Sequence, residues 1–253
     1  MFSFFRKKAE QQEPMVAPTD FSFLGADMHS HFVPGIDDGS PDLETSLELI
    51  RRMKGLGYRK IITTPHVSLE FYDNNAEKIT KHFDRLKRFV DDQRLGVELG
   101  IGAEYYLDNY FLPSVLPDGL LNFGKRYVLV EVSMAGWPRQ FSDMIFSIQA
   151  AGYTPILAHV ERYLYEDNIK QYEEWKAKGM LFQMNLLSLS GYYGRSVKHL
   201  AENYLQHNLY DFAGSDMHHL RHADQLRRMA TELPEVMSRL ASYPHWRNAS
   251  LCE

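Results

Sequence analysis

His29 and His31 in "GADMHSH" occupy alternate positions after an apolar approach of Phe21, Phe23 and Leu24. In an extended chain every second side chain faces the same way, so both imidazoles would point to one side together with Asp27. Packing gains little from that arrangement, whereas a metal ion gains two ligands. Further along, apolar runs end in the same kinds of residue: His66 in "IITTPH", Glu104 in "GIGAE", Glu131 in "YVLVEV", His159 in "PILAH", and Asp216 with His218 in "AGSDMH". Asp38, in "PGIDDGS", follows the first run closely enough to reach the same place.

Each of these residues has an ordinary explanation when taken alone. His66 after Pro65 reads as a loop histidine, and Glu131 as the partner of a buried ion pair. The joint pattern is what packing does not produce, because a carboxylate placed among apolar residues is costly without a compensating charge. The donors are imidazoles and carboxylates with no thiolate. That set suits manganese, zinc, iron or magnesium rather than a closed structural zinc site. It is also too large for one ion, so two or three ions bridged by carboxylates are expected. Clustered ions lower the pKa of a bound water and stabilise both the attacking and the leaving oxygen of a phosphoryl displacement. The chemistry expected is hydrolysis of a phosphate ester.

A phosphate also calls for fixed positive charge, and a guanidinium grips it as a two-pronged fork. Arg162 lies three residues after His159 in "HVERY", and Arg221 three after His218 in "DMHHLRH". Arg139 in "GWPRQ" is a weaker candidate. His219 and His222 read as surface or supporting residues.

The elements that must position these groups follow from hydrophobic periodicity. Strands are expected near 23–31, 59–66, 97–104, 127–132, 154–159, 181–187 and 210–215. Helices are expected between them, over 41–57, 75–92, 140–151, 167–178 and 195–207. The clearest is "PDLETSLELIRRMKGLG", where Leu43, Leu47, Ile50 and Met53 recur at helical spacing, Pro41 opens the run and Gly57 closes it. Strands alternating with helices predict a parallel sheet. Closed on itself, it would be a (β/α) barrel with one unit fewer than the usual eight, whose strand ends converge on one face. An open doubly wound sheet is the runner-up, and no glycine-rich phosphate loop follows the first strand to favour a nucleotide-binding version of it.

The chain has 253 residues, 44% of them hydrophobic, which is enough for one sizeable domain. Its formal charge of −5 disfavours a general nucleic-acid binder. The single cysteine, Cys252, lies one residue from the end, so neither an internal disulfide nor a thiolate followed by a downstream arginine is available. A reducing, cytoplasmic setting is expected. No apolar run is long enough to span a bilayer, so stable membrane insertion is not expected. Residues 1–18, with "MFSFFRKK" at their start, read as a flexible polar tail before one domain over 19–253.

With "DMHSHFVPGIDDGS", "IITTPH", "GAEYYLD", "VLVEVS", "ILAHVERY" and "GSDMH" in place, the chain resembles the polymerase-and-histidinol-phosphatase (PHP) superfamily. More closely, it resembles the bacterial PHP-type tyrosine-protein phosphatases of capsule and exopolysaccharide loci. The resemblance runs from about residue 22 to about 240. It implies a distorted seven-unit TIM-like barrel and up to three metals, commonly manganese. The implied ligands are His29, His31, Asp38, His66, Glu104, Glu131, His159, Asp216 and His218. Arg162, Arg221 and His159 are the implied catalytic residues. Direct attack of water on phosphorus is expected, with no phosphoenzyme.

The implied partner is the tyrosine-rich tail of a bacterial tyrosine kinase controlling polysaccharide export. Tyr105, Tyr106, Tyr110, Tyr163, Tyr165, Tyr192 and Tyr193, all after strand ends, could stack on an aromatic substrate ring. Histidinol-phosphate phosphatase, a PHP nuclease and a non-catalytic metal-bound binding module are the competing readings. Oligomeric state is left open.

Overall fold

The computed structural model describes residues 17–253; the tail expected over 1–18 falls almost wholly outside them. Ala17 and Pro18 carry no regular structure.

Nine short strands and eight α-helices, with four short 3-10 or π turns besides, make up the regular structure of the described residues, in a largely alternating order. They run β1 (Ala26–Asp27), α1 (Leu43–Gly55), β2 (Lys60–Thr63), β3 (His66–Val67), α2 (Ala76–Asp92), β4 (Glu98–Ile101) and β5 (Glu104–Tyr106). After these come β6 (Tyr127–Glu131), α3 (Phe141–Ala150), β7 (Thr154–Leu157), α4 (Ile169–Ala177), β8 (Leu181–Asn185), α5 (Leu186–Leu189) and α6 (Arg195–Gln206). β9 (Phe212–Gly214), α7 (Leu220–Glu232) and α8 (Pro234–Ser242) complete the chain.

Every strand pairing is parallel. One sheet has the order β1-β2-β4 and the other β3-β5-β6-β7-β8-β9. The two are continuous through the chain, since β2 leads into β3 and β4 into β5 after two-residue breaks. Across those breaks the Gly102 N–H donates to the Thr63 carbonyl at 2.9 Å and the Glu104 N–H to that of Pro65 at 3.0 Å. At the opposite edge, the segment after β1 meets the segment after β9. Ser30 bridges Met217 in parallel, the His31 N–H donates to the Met217 carbonyl at 2.9 Å and the Asp216 N–H to that of His29 at 2.8 Å. The result is a single α/β domain with a curled parallel sheet.

All seven expected strands have a counterpart, but the second and third are each broken in two. The first is only Ala26–Asp27, because Met28–His31 leaves regular pairing to approach β9. The sixth stops at Asn185, whose side chain accepts from the Leu187 N–H at 3.0 Å and turns the chain into α5. The five expected helices are present within a few residues. For α1 the cap is Asp42, which accepts from the Thr45 N–H at 2.7 Å, rather than Pro41. Helices α7 and α8 were not anticipated. Their charged stretch hides an apolar stripe, Ala223, Leu226, Met229 and Ala230, buried on one face of α7.

The curl creates two cores. Along β6, Val128 and Val130 join the larger cluster under the helices, while Tyr127 and Leu129 join a smaller one with Met28, Ile62, Ile156 and Phe212. The two-residue period of a strand puts Glu131 in phase with the smaller, inner cluster.

Candidate metal centre

The side chains at the strand ends gather around one carboxylate. Glu104, at the start of β5, is fully buried. Its Oε2 lies 3.0 Å from His29 Nε2, 3.4 Å from His31 Nε2 and 3.3 Å from His66 Nδ1. Its Oε1 lies 3.2 Å from His159 Nε2, yet has no partner with hydrogen-bond geometry. Glu131 approaches His66 Nδ1 at 3.1 Å and His159 Nε2 at 3.7 Å. Asp38 Oδ1 stands 3.5 Å from both His66 Nε2 and His218 Nε2. Asp216 Oδ1 is 3.3 Å from His29 Nε2 and 3.5 Å from His31 Nε2. All nine residues expected as ligands from the sequence therefore meet in one place.

Eight of them form three interlocking donor groups: His31, Asp38, His66 and His218; His29, His31, Glu104 and Asp216; and His66, Glu104 and Glu131. His159 stands beside these groups, against Glu104 and Glu131. Within each group the donor atoms lie within 4.8 Å of one another. Glu104, His31 and His66 each belong to two groups, and of these the Glu104 carboxylate has two oxygens with which it could bridge ions.

The residues fit metal ions by a second criterion, the far side of the imidazoles. A ligating histidine donates its other ring N–H to an oxygen, which leaves the facing nitrogen bare. His29 Nδ1 sits 3.1 Å from Gln183 Oε1, His31 Nδ1 2.9 Å from Asp37 Oδ2, and His218 Nδ1 2.9 Å from the Asp216 carbonyl. Each of these oxygens can only accept, so each holds a proton on Nδ1 and turns a bare Nε2 to the cluster. The buried Oε1 of Glu104, with no hydrogen-bond partner, is a further donor suited to a cation.

The electrostatics point the same way. Burial pushes Glu104 upward, but the neighbouring His29 and His66 charges and the close approach of the His29 imidazole hold it well below the usual carboxylate range. Asp216 is likewise held well below it against burial, by His29 and His218. Burial and the His31 charge lower His66, yet Glu104 and Glu131 raise it to about 9. His31 is raised well above an ordinary imidazole by Asp216, Asp37 and Glu104 despite burial. Without cations, protons on the imidazoles hold these acids together; cations at the same place would displace them.

Local backbone geometry serves the cluster. His159 and Asp216 have φ of +33° and +49°, in the left-handed region. Such strain costs about 1–3 kcal/mol per residue and persists where surrounding structure enforces it. Gly39 must be glycine: a Cβ there would lie 2.2 Å from the His31 carbonyl oxygen and 2.4 Å from the His31 Cβ. Gly214 is similar, since its Cβ would meet the His29 Cβ at 2.7 Å.

A pocket of about 300 Å³ opens onto the cluster. Its wall includes Arg162, whose Nη1 donates to Asp216 Oδ2 at 3.1 Å. Arg221 is different. It is exposed on the first turn of α7 and does not line this pocket, because the turn after His218 carries it outward while His222 faces in. Arg139 is also exposed and outside the lining residues. Of the tyrosines, only Tyr193 lines the pocket; Tyr105 and Tyr163 are buried, accepting from the Leu121 and Val132 N–H groups.

Several residues escaped sequence reasoning. Asp37, beside Asp38, accepts from the His66 N–H at 3.1 Å as well as facing His31. Gln183 accepts from the His159 N–H at 2.8 Å. Asn185 donates to Asp216 Oδ2 at 2.8 Å. Met134 lines the pocket, together with His219 and His222, which read as surface or supporting residues in the sequence. The one available signal was the alternation of Gln183 and Asn185 in the otherwise apolar "LFQMN".

Comparison with known proteins agrees with this geometry. Residues 25–239 match the family model for capsular polysaccharide synthesis, CpsB/CapC. The chain is 30% identical over 201 residues to the tyrosine-protein phosphatase CpsB of Streptococcus pneumoniae, covering 77% of this chain and 83% of that one. It is 27% identical over 197 residues to the tyrosine-protein phosphatase YwqE of Bacillus subtilis, covering 77% and 78%. Among solved structures, one of the pair YwqE of B. subtilis and CpsB of S. pneumoniae, unique metal-dependent tyrosine phosphatases, superposes with a TM-score of 0.71 at 26% identity, covering 85% of this chain and 94% of that one. A phosphotriesterase homology protein from Escherichia coli shares the fold at a TM-score of 0.53 and 10% identity, covering 95% and 96%. The chain belongs to the CpsB/CapC family of capsular polysaccharide synthesis.

Proposed function

We propose that this protein is a metal-dependent phosphatase that removes phosphate from tyrosine in a protein substrate. The observation that carries the reading is the set of three interlocking donor groups beside Arg162 in one pocket. The ligands in this proposal are His29, His31, Asp38, His66, Glu104, Glu131, His159, Asp216 and His218, holding two or three divalent ions. Manganese is the proposed metal. Such ions would supply an acidified water and neutralise charge on the phosphoryl group. Arg162 would grip a non-bridging phosphate oxygen in the same pocket. His159, at its wall, would help to orient the attacking water, and solvent would protonate the departing phenolate. No thiol takes part: Cys252 is not among the pocket residues.

The domain proposed spans 19–253, as a distorted (β/α)7 barrel. The contact of Ser30 with Met217, which brings the two ends of the curled sheet together, supports that reading. The proposed substrate is the tyrosine-rich tail of a bacterial tyrosine kinase, in keeping with the family's description and with relatives named tyrosine-protein phosphatases. A cytoplasmic location belongs to the same proposal, because protein phosphotyrosine is made where ATP is available. Among the described residues no helix is long and apolar enough to cross a membrane.

The test is phosphate release from a phosphotyrosine peptide and from histidinol phosphate, each with added manganese and again with chelator. Chelator-sensitive release from the peptide, with little from histidinol phosphate, is expected. Release chiefly from histidinol phosphate, or release that chelator leaves intact, would overturn the proposal.

A further inference from the structure

Arg162 ends a single 3-10 turn, Val160–Arg162, that follows β7. A long guanidinium side chain in that position loses rotamer freedom when it binds, and the loss weakens the grip unless something holds it beforehand. Two contacts do so. Nη1 donates to Asp216 Oδ2 at 3.1 Å, and the guanidinium carbon lies 4.5 Å from the centre of the Tyr193 ring. The ring is itself anchored, because its hydroxyl accepts from Asn185 Nδ2 at 3.1 Å. The same Asn185 nitrogen donates to Asp216 Oδ2 at 2.8 Å. The side chains of Tyr193, Asn185 and Asp216 thus form a bracket, with Arg162 lying against the ring and tied to the carboxylate.

We propose that Tyr193 is a positioning residue: its ring holds the Arg162 guanidinium facing the pocket, ready to receive a phosphate oxygen. The inference rests on the phosphatase reading for its purpose and on the geometry of these four residues for its content. A salt bridge to Asp216 alone fixes one nitrogen and leaves the plane free to turn. A ring 4.5 Å from the guanidinium carbon adds a second contact that restricts this turning. Lysine could not replace Arg162 here, since it lacks the flat group that the ring holds. A guanidinium over an aromatic face is worth about 0.5–2 kcal/mol, depending on how dry the site is, so loss of the ring is expected to weaken phosphate binding roughly tenfold. The hydroxyl serves mainly to seat the ring.

The probe is inorganic phosphate, titrated by calorimetry into the manganese-loaded protein, with metal content measured on the same samples. Tyr193→Leu is expected to weaken phosphate about tenfold at unchanged metal content. Tyr193→Phe, which keeps the ring, is expected to recover binding to within about threefold of the parent. In an Arg162→Ala background, Tyr193→Leu is expected to add nothing, as befits a residue acting through the arginine. Unchanged phosphate affinity in Tyr193→Leu would overturn the inference. So would a loss in Tyr193→Phe as large as in Tyr193→Leu, a loss that persists in the Arg162→Ala background, or a fall in metal content. Because phosphate binding is read without turnover, the positioning role can fail while phosphotyrosine hydrolysis stands, and the reverse.

Discussion

Gln183 Oε1 faces His29 Nδ1 at 3.1 Å while accepting the His159 N–H at 2.8 Å. One amide oxygen therefore sets the tautomer of one candidate ligand and fixes the backbone of another. Oxygens in this position commonly account for 10- to 100-fold in metal affinity. Gln183→Leu, similar in volume, is expected to lower manganese affinity by about that range while the fold persists. Metal titration with a competing chelator, alongside circular dichroism, checks this; unaltered affinity would show that His29 needs no such partner.

The ligand cluster and the arginine separate into two phenotypes. His29→Ala or Glu104→Ala removes a donor of the cluster, so metal content and turnover should fall together, by more than the roughly 100-fold ceiling of a supporting residue. Arg162→Ala should keep its metal and lose phosphate affinity. Elemental analysis paired with kinetics distinguishes the two, and full metal with full rate in His29→Ala would place the centre elsewhere.

Asp27 gives a pH signature of its own. Burial raises its carboxyl to about 7, against hydrogen bonds from Ser215 that favour the charged form. Unfolded, the group titrates near 3.8. Between those values the folded protein holds a proton that the unfolded chain releases. The stability this contributes is fully present below the unfolded value and is lost as pH rises toward 7. In chelator-treated protein, the stability of the parent relative to Asp27→Asn should therefore decline from about pH 4 to about pH 7 and then level off. Urea unfolding at several pH values reads it; a flat difference would mean Asp27 is ionised throughout.

Gly39 tests the loop that delivers Asp38. With a Cβ only 2.2 Å from the His31 carbonyl oxygen, Gly39→Ala must displace that loop or the His31 backbone. Metal content and activity should both drop, with stability lowered by about 1–3 kcal/mol, as overpacking commonly costs. Parent-like metal binding in this variant would show that the loop relocates without disturbing His31 or Asp38.

Much of the site was legible because its residues obey a simple rule of position. A polar group ending an apolar run stands out, and with Asp38 from the loop after the first run nine candidates lie together. Arg221 lies away from the pocket because α7 begins two residues after His218, and helical rotation, invisible in spacing alone, carries it outward. Gln183 and Asn185 hid because amides in a strand read as neutral. Their value depends on what lies across the curled sheet, which no local pattern reports. Helices α7 and α8 were lost for a related reason: their dense charge conceals a narrow buried stripe. The breaks between β2 and β3 and between β4 and β5 fall at the two-residue links Thr64–Pro65 and Gly102–Ala103, where a continuous strand was the simpler expectation.

Asp216 gives one oxygen to the imidazoles and the other to Arg162 and Asn185. That sharing constrains how the protein can diverge. A change that reshapes the catalytic centre for a new leaving group disturbs ion retention and anion capture at once, so few single substitutions there are neutral. The exposed apolar side chains on the surrounding loops, Leu69, Phe71, Met134, Leu164 and Tyr192 among them, carry no such double duty. Selection for new substrates is thereby channelled to the periphery, and lineages sharing this centre should differ first in those loops.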